Sequence, residues 1–263
     1  MPEGDSVHRV AGELDRALTG RPLIAADLRV PAHATADLTG RQVLGTVPRG
    51  KHLLTRFEGG LTLHTHLRMD GRWALYGPGE RWTGGAGHQI RAVLGVEGRT
   101  AVGYRLPVVQ LLRTTEEQTV VGHLGPDLLG PDWDAAEAAR RLATDPERQL
   151  GTALLDQRNL AGIGNIYANE LCFLAGLTPW TPVAEALPVL ERLAARAHQL
   201  LEANKERLGH PTTPDPRPGR QNWVYGRGRR PCLRCGTPIR AAQHDRERPA
   251  YWCPRCQRGP GPR

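Results

Sequence analysis

Four of the five cysteines in this chain stand as two close pairs, Cys232-x2-Cys235 and Cys253-x2-Cys256, with seventeen residues between them. No other feature restricts the fold as sharply. Each pair can form a tight knuckle on one side of a metal ion, and the spacer suits a β-hairpin joining two knuckles. Four thiolates close a zinc tetrahedron and leave no open position, so the expectation is one structural Zn2+. Within the spacer, Arg240, Arg246 and Arg248 put cations along or at the tip of that hairpin. Such a scaffold suits a DNA groove, and it also serves ribosomal and transcription proteins. The fifth cysteine, Cys172, lies in the apolar stretch Leu171-Cys172-Phe173-Leu174 and reads as a buried, inert thiol.

The charge points the same way. From Lys205 onward there are 14 Lys+Arg against 4 Asp+Glu; of the whole chain's 35 and 27, that leaves 21 against 23 before it. The positive excess therefore sits beside the cysteines, and a polyanion is its natural partner. The start, Met-Pro-Glu-Gly-Asp, lacks the basic and apolar stretches of a signal peptide, and no apolar run is long enough to span a bilayer. A cytoplasmic protein with no membrane association is expected.

Asp5 to Leu18 carries apolar residues at Val7, Val10, Ala11, Leu14, Ala17 and Leu18, a helical spacing closed by Gly20 and Pro22. Short β-like runs follow at Leu23–Val30, Gln42–Val47, His52–Phe57, Leu61–Leu67, Arg72–Tyr76, Gln89–Leu94, Thr100–Tyr104 and Val108–Leu112. Their even spacing predicts an antiparallel sandwich or barrel. Helical patterns then cover Trp133–Ala143, Glu147–Leu155, Asn165–Ala175 and Val183–Leu208, and 210–220 reads as a Pro/Gly-rich loop. The class is α+β: N-terminal helix and β-sandwich over 1–120, a helical domain over 121–220, and the zinc hairpin over 221–263.

Four further places can carry chemistry. Removal of Met1 would leave Pro2 with a secondary amine whose pKa lies near ~8, so a neutral nucleophile exists around neutrality. Its attack on an aldehyde-level sugar carbon gives a cationic iminium, an electron sink, and Glu3 beside it can move protons. Most Met-Pro starts are only starts. Lys51 is one of two lysines among 35 basic residues, and an ammonium can give up a proton where a guanidinium cannot. The turn Gly162-Ile163-Gly164-Asn165 exposes backbone N–H groups at a helix start, which suits a phosphate but equally an ordinary helical junction. His64-x-His66 offers a metal-binding spacing, yet no carboxylate or third histidine matches it, and a place in or beside the sheet core, or against a phosphate, fits better.

Taken in order, Pro2-Glu3-Gly4, Arg49-Gly50-Lys51, Gly162-Ile163-Gly164-Asn165 and the four-cysteine hairpin resemble the formamidopyrimidine-DNA glycosylase/endonuclease VIII family over nearly the whole chain. Leu155–Glu170 is similar to its helix–two-turn–helix motif, and Val224-Tyr225-Gly226-Arg227 to its lead into the zinc finger. The resemblance implies a bifunctional glycosylase and abasic-site lyase acting by β,δ-elimination. In it Pro2 would be the nucleophile, Glu3 would handle protons at the sugar, and Lys51 would assist at the phosphate. Asn165 and Arg248 would hold backbone phosphates, and Glu170 would be a helix carboxylate near the N-terminal amine and the DNA. Arg68, Met69 and Asp70 match the loop that fills the place of an extruded base. Ser6 stands where the family often has Glu, and the Pro-Glu-Gly start favours the endonuclease VIII branch, hence oxidised pyrimidines. The rival readings are a purine-acting member of the same family, a non-catalytic zinc-finger DNA-binding protein, and a zinc-ribbon RNA-associated protein. The expected partner is damaged DNA, duplex or single-stranded, bound by a monomer.

Overall fold

The computed structural model describes residues 2–244 and 248–262, so Met1 and Arg246 lie outside the described residues. The chain divides into two compact units, Met1–His123 and Leu124–Arg263.

The first unit opens with α1 (Gly4–Leu18), whose buried face is the predicted stripe Val7, Val10, Ala11, Leu14, Ala17 and Leu18. Eight strands follow: β1 (Ala25–Leu28), β2 (Val43–Arg49), β3 (His52–Phe57), β4 (Leu61–His66), β5 (Arg72–Tyr76), β6 (Ile90–Val96), β7 (Arg99–Tyr104) and β8 (Val108–Arg113). They form two antiparallel four-stranded sheets, ordered β1-β6-β7-β5 and β2-β3-β4-β8. The α1 stripe joins Leu53, Phe57, Leu63, Leu94 and Val96 in one core. Burying each such side chain contributes about 1.5–3 kcal/mol, which fixes the strand registers against slippage. The strand expected over Leu23–Val30 is only Ala25–Leu28, because Pro31 opens a 3-10 turn behind it. A short helix, α2 (Gln118–Val121), closes the unit where no periodic pattern announced one.

The second unit holds α3 (Ala135–Leu142), α4 (Leu150–Leu155), α5 (Asn165–Ala175), α6 (Val183–Ala186), α7 (Leu190–Asn204) and the antiparallel pair β9 (Arg240–Gln243) and β10 (Pro249–Trp252). The single helix expected over Val183–Leu208 is broken: Pro188 sits in a 3-10 turn, Leu187–Val189, between α6 and α7. Proline lacks the N–H that a continuous helix needs there. Helix α5 is the centre of this unit, buried from Asn165 to Phe173 and ended by Gly176 at φ +70°. Its entry turn needs glycine at 162, where φ is +112°. The Gln157 side chain staples that turn, accepting from Gly162 N at 3.0 Å and donating to the Ile163 carbonyl at 2.9 Å. Among the described residues no helix is long and apolar enough to cross a membrane.

Candidate active site and metal centre

In the first unit the candidate residues lie at the head of α1 and at the turns that join β2 to β3 and β4 to β5. Glu3 is the N-cap position of α1; it is fully buried, and its carbonyl accepts Val7 N–H at 3.0 Å. Pro2 precedes it and is half-buried. The pairing of Arg49 with His52 leaves Gly50 and Lys51 as a two-residue turn, with Gly50 at φ +57°, and α1 packs on both strands of that hairpin. The second turn joins β4 to β5. There Arg68 adopts φ +45°, Met69 is 63% exposed, and Gly71 N–H closes onto the Leu67 carbonyl at 2.9 Å. Arg68, Met69 and Asp70 form its solvent-facing tip.

Beneath these turns lies a group of histidines that sequence reasoning only half found. His52 and His66 are directly paired across β3 and β4. The His52 ring stacks on His64 at 5.0 Å, meets His66 edge-on at 4.9 Å, and meets His123 edge-on at 6.2 Å. His52 Nδ1 and His64 Nε2 share a hydrogen bond of 2.8 Å. Burial pushes His52 down to about 3, helped by His66, His64, His123 and Lys51. Burial, then Lys51, Arg68 and His64, push His66 down to about 4, and burial also lowers His64. The His52, His64 and His66 rings are therefore neutral at pH 7 beside the Lys51 ammonium. The missing third histidine was in plain sight at 52, but only the hairpin register brings it opposite 66.

In the second unit the four cysteines converge, with all Sγ atoms within 4.8 Å of one another. Cys232 and Cys256 stand 3.9 Å apart and Cys235 and Cys253 3.5 Å. A Zn–S bond of about 2.3 Å gives tetrahedral S···S edges of roughly 3.8 Å, so the donor set fits a zinc ion. A disulfide needs about 2.05 Å, far shorter than these separations. The centre is tied to the helical part by Gln257, which accepts from Cys253 N at 2.8 Å and donates to the Leu177 carbonyl at 2.7 Å. The Arg234 guanidinium lies 4.4 Å from the centroid of the Phe173 ring, which stacks on Trp223. Cys172 is buried apart from this group, its thiol pushed up to about 12 by burial.

Helix α5 supports the hairpin. Asn165 Nδ2 donates to the Pro249 carbonyl at 3.0 Å, and Asn169 Oδ1 accepts Tyr251 N–H at 2.6 Å. Arg248 immediately precedes β10, its carbonyl accepting His244 N–H at 2.8 Å across the hairpin. Glu170 lies on the buried length of α5. It has no exposed surface, and its carboxylate takes the Thr212 hydroxyl and the N–H groups of Trp223, Val224 and Tyr225. With both oxygens occupied inside the unit, this carboxylate anchors the segment leading into the zinc centre.

A family model described as the formamidopyrimidine-DNA glycosylase N-terminal domain matches residues 1–160, and the formamidopyrimidine-DNA glycosylase H2TH domain matches 124–209. The chain belongs to the formamidopyrimidine-DNA glycosylase family. Within this family, relatives of the chain carry endonuclease 8 or lyase names. A probable endonuclease 8 2 of Streptomyces coelicolor is 62% identical, with 100% of this chain and 96% of that protein covered. The DNA-(apurinic or apyrimidinic site) lyase Nei2 of Mycolicibacterium smegmatis is 47% identical over 98% of this chain and 99% of its own length. An endonuclease 8 of Escherichia coli is 33% identical over 98% and 100%. The fold also matches Lactococcus lactis Fpg solved with abasic-site DNA, at a TM-score of 0.81 and 22% identity over 98% of this chain and 100% of that one.

Proposed function

We propose that this chain is a bifunctional DNA glycosylase and abasic-site lyase of base excision repair that removes oxidised pyrimidines. The observation that carries this is Pro2-Glu3 at the head of α1, with Glu3 fully buried, in a chain 62% and 47% identical to proteins named endonuclease 8 and lyase.

After methionine removal, the Pro2 nitrogen attacks C1′ of the damaged nucleotide and displaces the base. Glu3 protonates the ring oxygen, and opening of the sugar leaves an iminium between Pro2 and C1′. Loss of a C2′ proton into that electron sink expels the 3′ phosphate. A second elimination expels the 5′ phosphate, and hydrolysis frees Pro2. Lys51, at its hairpin turn, holds its ammonium against the phosphate flanking the lesion and steadies charge there. Asn165 and Arg248 grip backbone phosphates from the second unit. Met69 enters the stack where the base was, flanked by Arg68 and Asp70, since extruding a base leaves a gap that an apolar wedge fills. Cys232, Cys235, Cys253 and Cys256 hold one Zn2+, which cross-links the two knuckles and so fixes the hairpin that carries Arg248. The parts 1–120, 121–220 and 221–263 would act as one monomer in the bacterial cytoplasm.

The test is a duplex carrying one oxidised pyrimidine. Release of free base, with phosphate on both sides of a one-nucleotide gap, is the expected result. No base release from any oxidised-pyrimidine substrate would contradict the reading.

A further inference from the structure

The turn that carries Met69 is a strained one. Arg68 sits in the left-handed region at φ +45°, where a side-chain-bearing residue stays only if its surroundings hold it. Two hydrogen bonds do so. One is Gly71 N–H to the Leu67 carbonyl; a Cβ at Gly71 would come within 2.5 Å of that oxygen, so the turn has no slack on this side. The other is Arg68 N–H donating to the Nδ1 atom of His66 at 2.9 Å.

We infer that His66 is a positioning residue for base extrusion, its Nδ1 accepting the Arg68 N–H so that the Leu67–Gly71 turn presents Met69 to the DNA stack. The inference rests on the reading of Arg68, Met69 and Asp70 as the wedge. His66 is itself held: the edge of His52 bears on its ring at 4.9 Å, and His52 is locked by its stack and hydrogen bond to His64. The histidine group thus has a purpose without a metal. It is a rigid, uncharged platform under the wedge turn. An imidazole accepts at Nδ1 only when that nitrogen carries no proton, which places the ring proton on Nε2. Burial, with the Lys51 and Arg68 cations close by, keeps His66 in that state at neutral pH.

The geometry also says which replacement restores function. The Oδ1 of asparagine lies as many bonds from the backbone as Nδ1 of histidine, whereas the Oε1 of glutamine lies one bond further. The experiment is single-turnover kinetics of His66→Ala, His66→Asn, His66→Gln and Met69→Ala on three substrates. These are a duplex with an oxidised pyrimidine, the same lesion in a single strand, and a pre-formed abasic duplex. A single strand has no opposite stack to hold open, so a wedge matters little there.

His66→Ala is expected to lose at least tenfold on the lesion duplex and no more than about twofold on the other two substrates. His66→Asn regains most of the loss and His66→Gln does not. Equal losses of His66→Ala on all three substrates, or no advantage of asparagine over glutamine, would overturn the inference. Met69→Ala with wild-type rates on the lesion duplex would overturn the wedge reading, and this inference with it. Neither result touches the proline chemistry, which the abasic substrate reports by itself.

Discussion

Lys51 is where a single side chain carries the sharpest claim. In a chain with 33 arginines and two lysines, an arginine at the Gly50-Lys51 turn would be the ordinary choice if only charge were needed. A compact ammonium beside the neutral His52 and His66 rings can give up a proton, which a wider, permanently charged guanidinium cannot. Lys51→Arg should therefore lose at least about tenfold in base excision, a barrier increase of roughly 1.4 kcal/mol. Incision at a pre-formed abasic site should suffer less, and single-turnover rates on the two duplexes decide it. The histidines below make a second claim. His52 titrates near 6.5 when unfolded but is pushed down to about 3 in the fold, by burial and then by His66, His64, His123 and Lys51. Between those values only the unfolded chain binds the proton. This contribution to stability is thus fully present above pH 6.5 and is lost as pH falls toward 3. The melting temperature should decline across pH 6.5 to 4.5, and His52→Gln should show a shallower decline; parallel curves would remove His52 from the account. Lys51 stands out in the sequence by its rarity among the basic residues, whereas Pro2 and Glu3 gain their roles there through the family resemblance. The roles of His52 and His123 could not be singled out there, since their meaning depends on a strand register and on a residue 71 positions away.

At the level of elements, α5 and the cysteine hairpin are the instructive pair. Strand His52–Phe57 and helix Asn165–Ala175 have the same bounds in sequence and structure, because turn glycines border both. Apolar periodicity runs straight through Pro188 and predicts one helix over 183–208, but the backbone N–H that proline lacks outweighs the pattern and breaks it. Glu170 shows what spacing cannot reveal. Its four donors lie 42 to 55 residues downstream, on a segment with no regular structure. Glutamine at 170 would set an amide N–H₂ against backbone N–H groups. Leaving one of them unpaired costs about 1–3 kcal/mol, so Glu170→Gln should lower the melting temperature measurably. On the hairpin itself, Arg248→Ala should weaken DNA binding by about 1–3 kcal/mol and reduce the slope of log affinity against log salt by about one unit. An unchanged slope would make Arg248 a solvated residue at the edge of β10. Cys253→Ser should be worse than Arg248→Ala in the same titration, because a lost thiolate frees the hairpin and every contact on it.

For the whole molecule, each of the two units has its own core, so each is held by its own burial rather than by the chemistry it serves. The charge is divided as unevenly as the chemistry: the basic excess follows Lys205, while the proposed nucleophile, proton carrier and wedge belong to the first 123 residues. The central claim is that catalysis passes through the amine of Pro2. It is tested most directly by borohydride trapping on abasic duplex DNA, using two preparations distinguished by intact mass, one with Met1 removed and one with Met1 retained. The account predicts a one-to-one covalent adduct, mapped by peptide sequencing to Pro2, from the processed protein alone, because retained Met1 turns that nitrogen into a tertiary amide with no nucleophilic lone pair. Equal trapping by both preparations, or an adduct on Lys51 or Lys205, would contradict it.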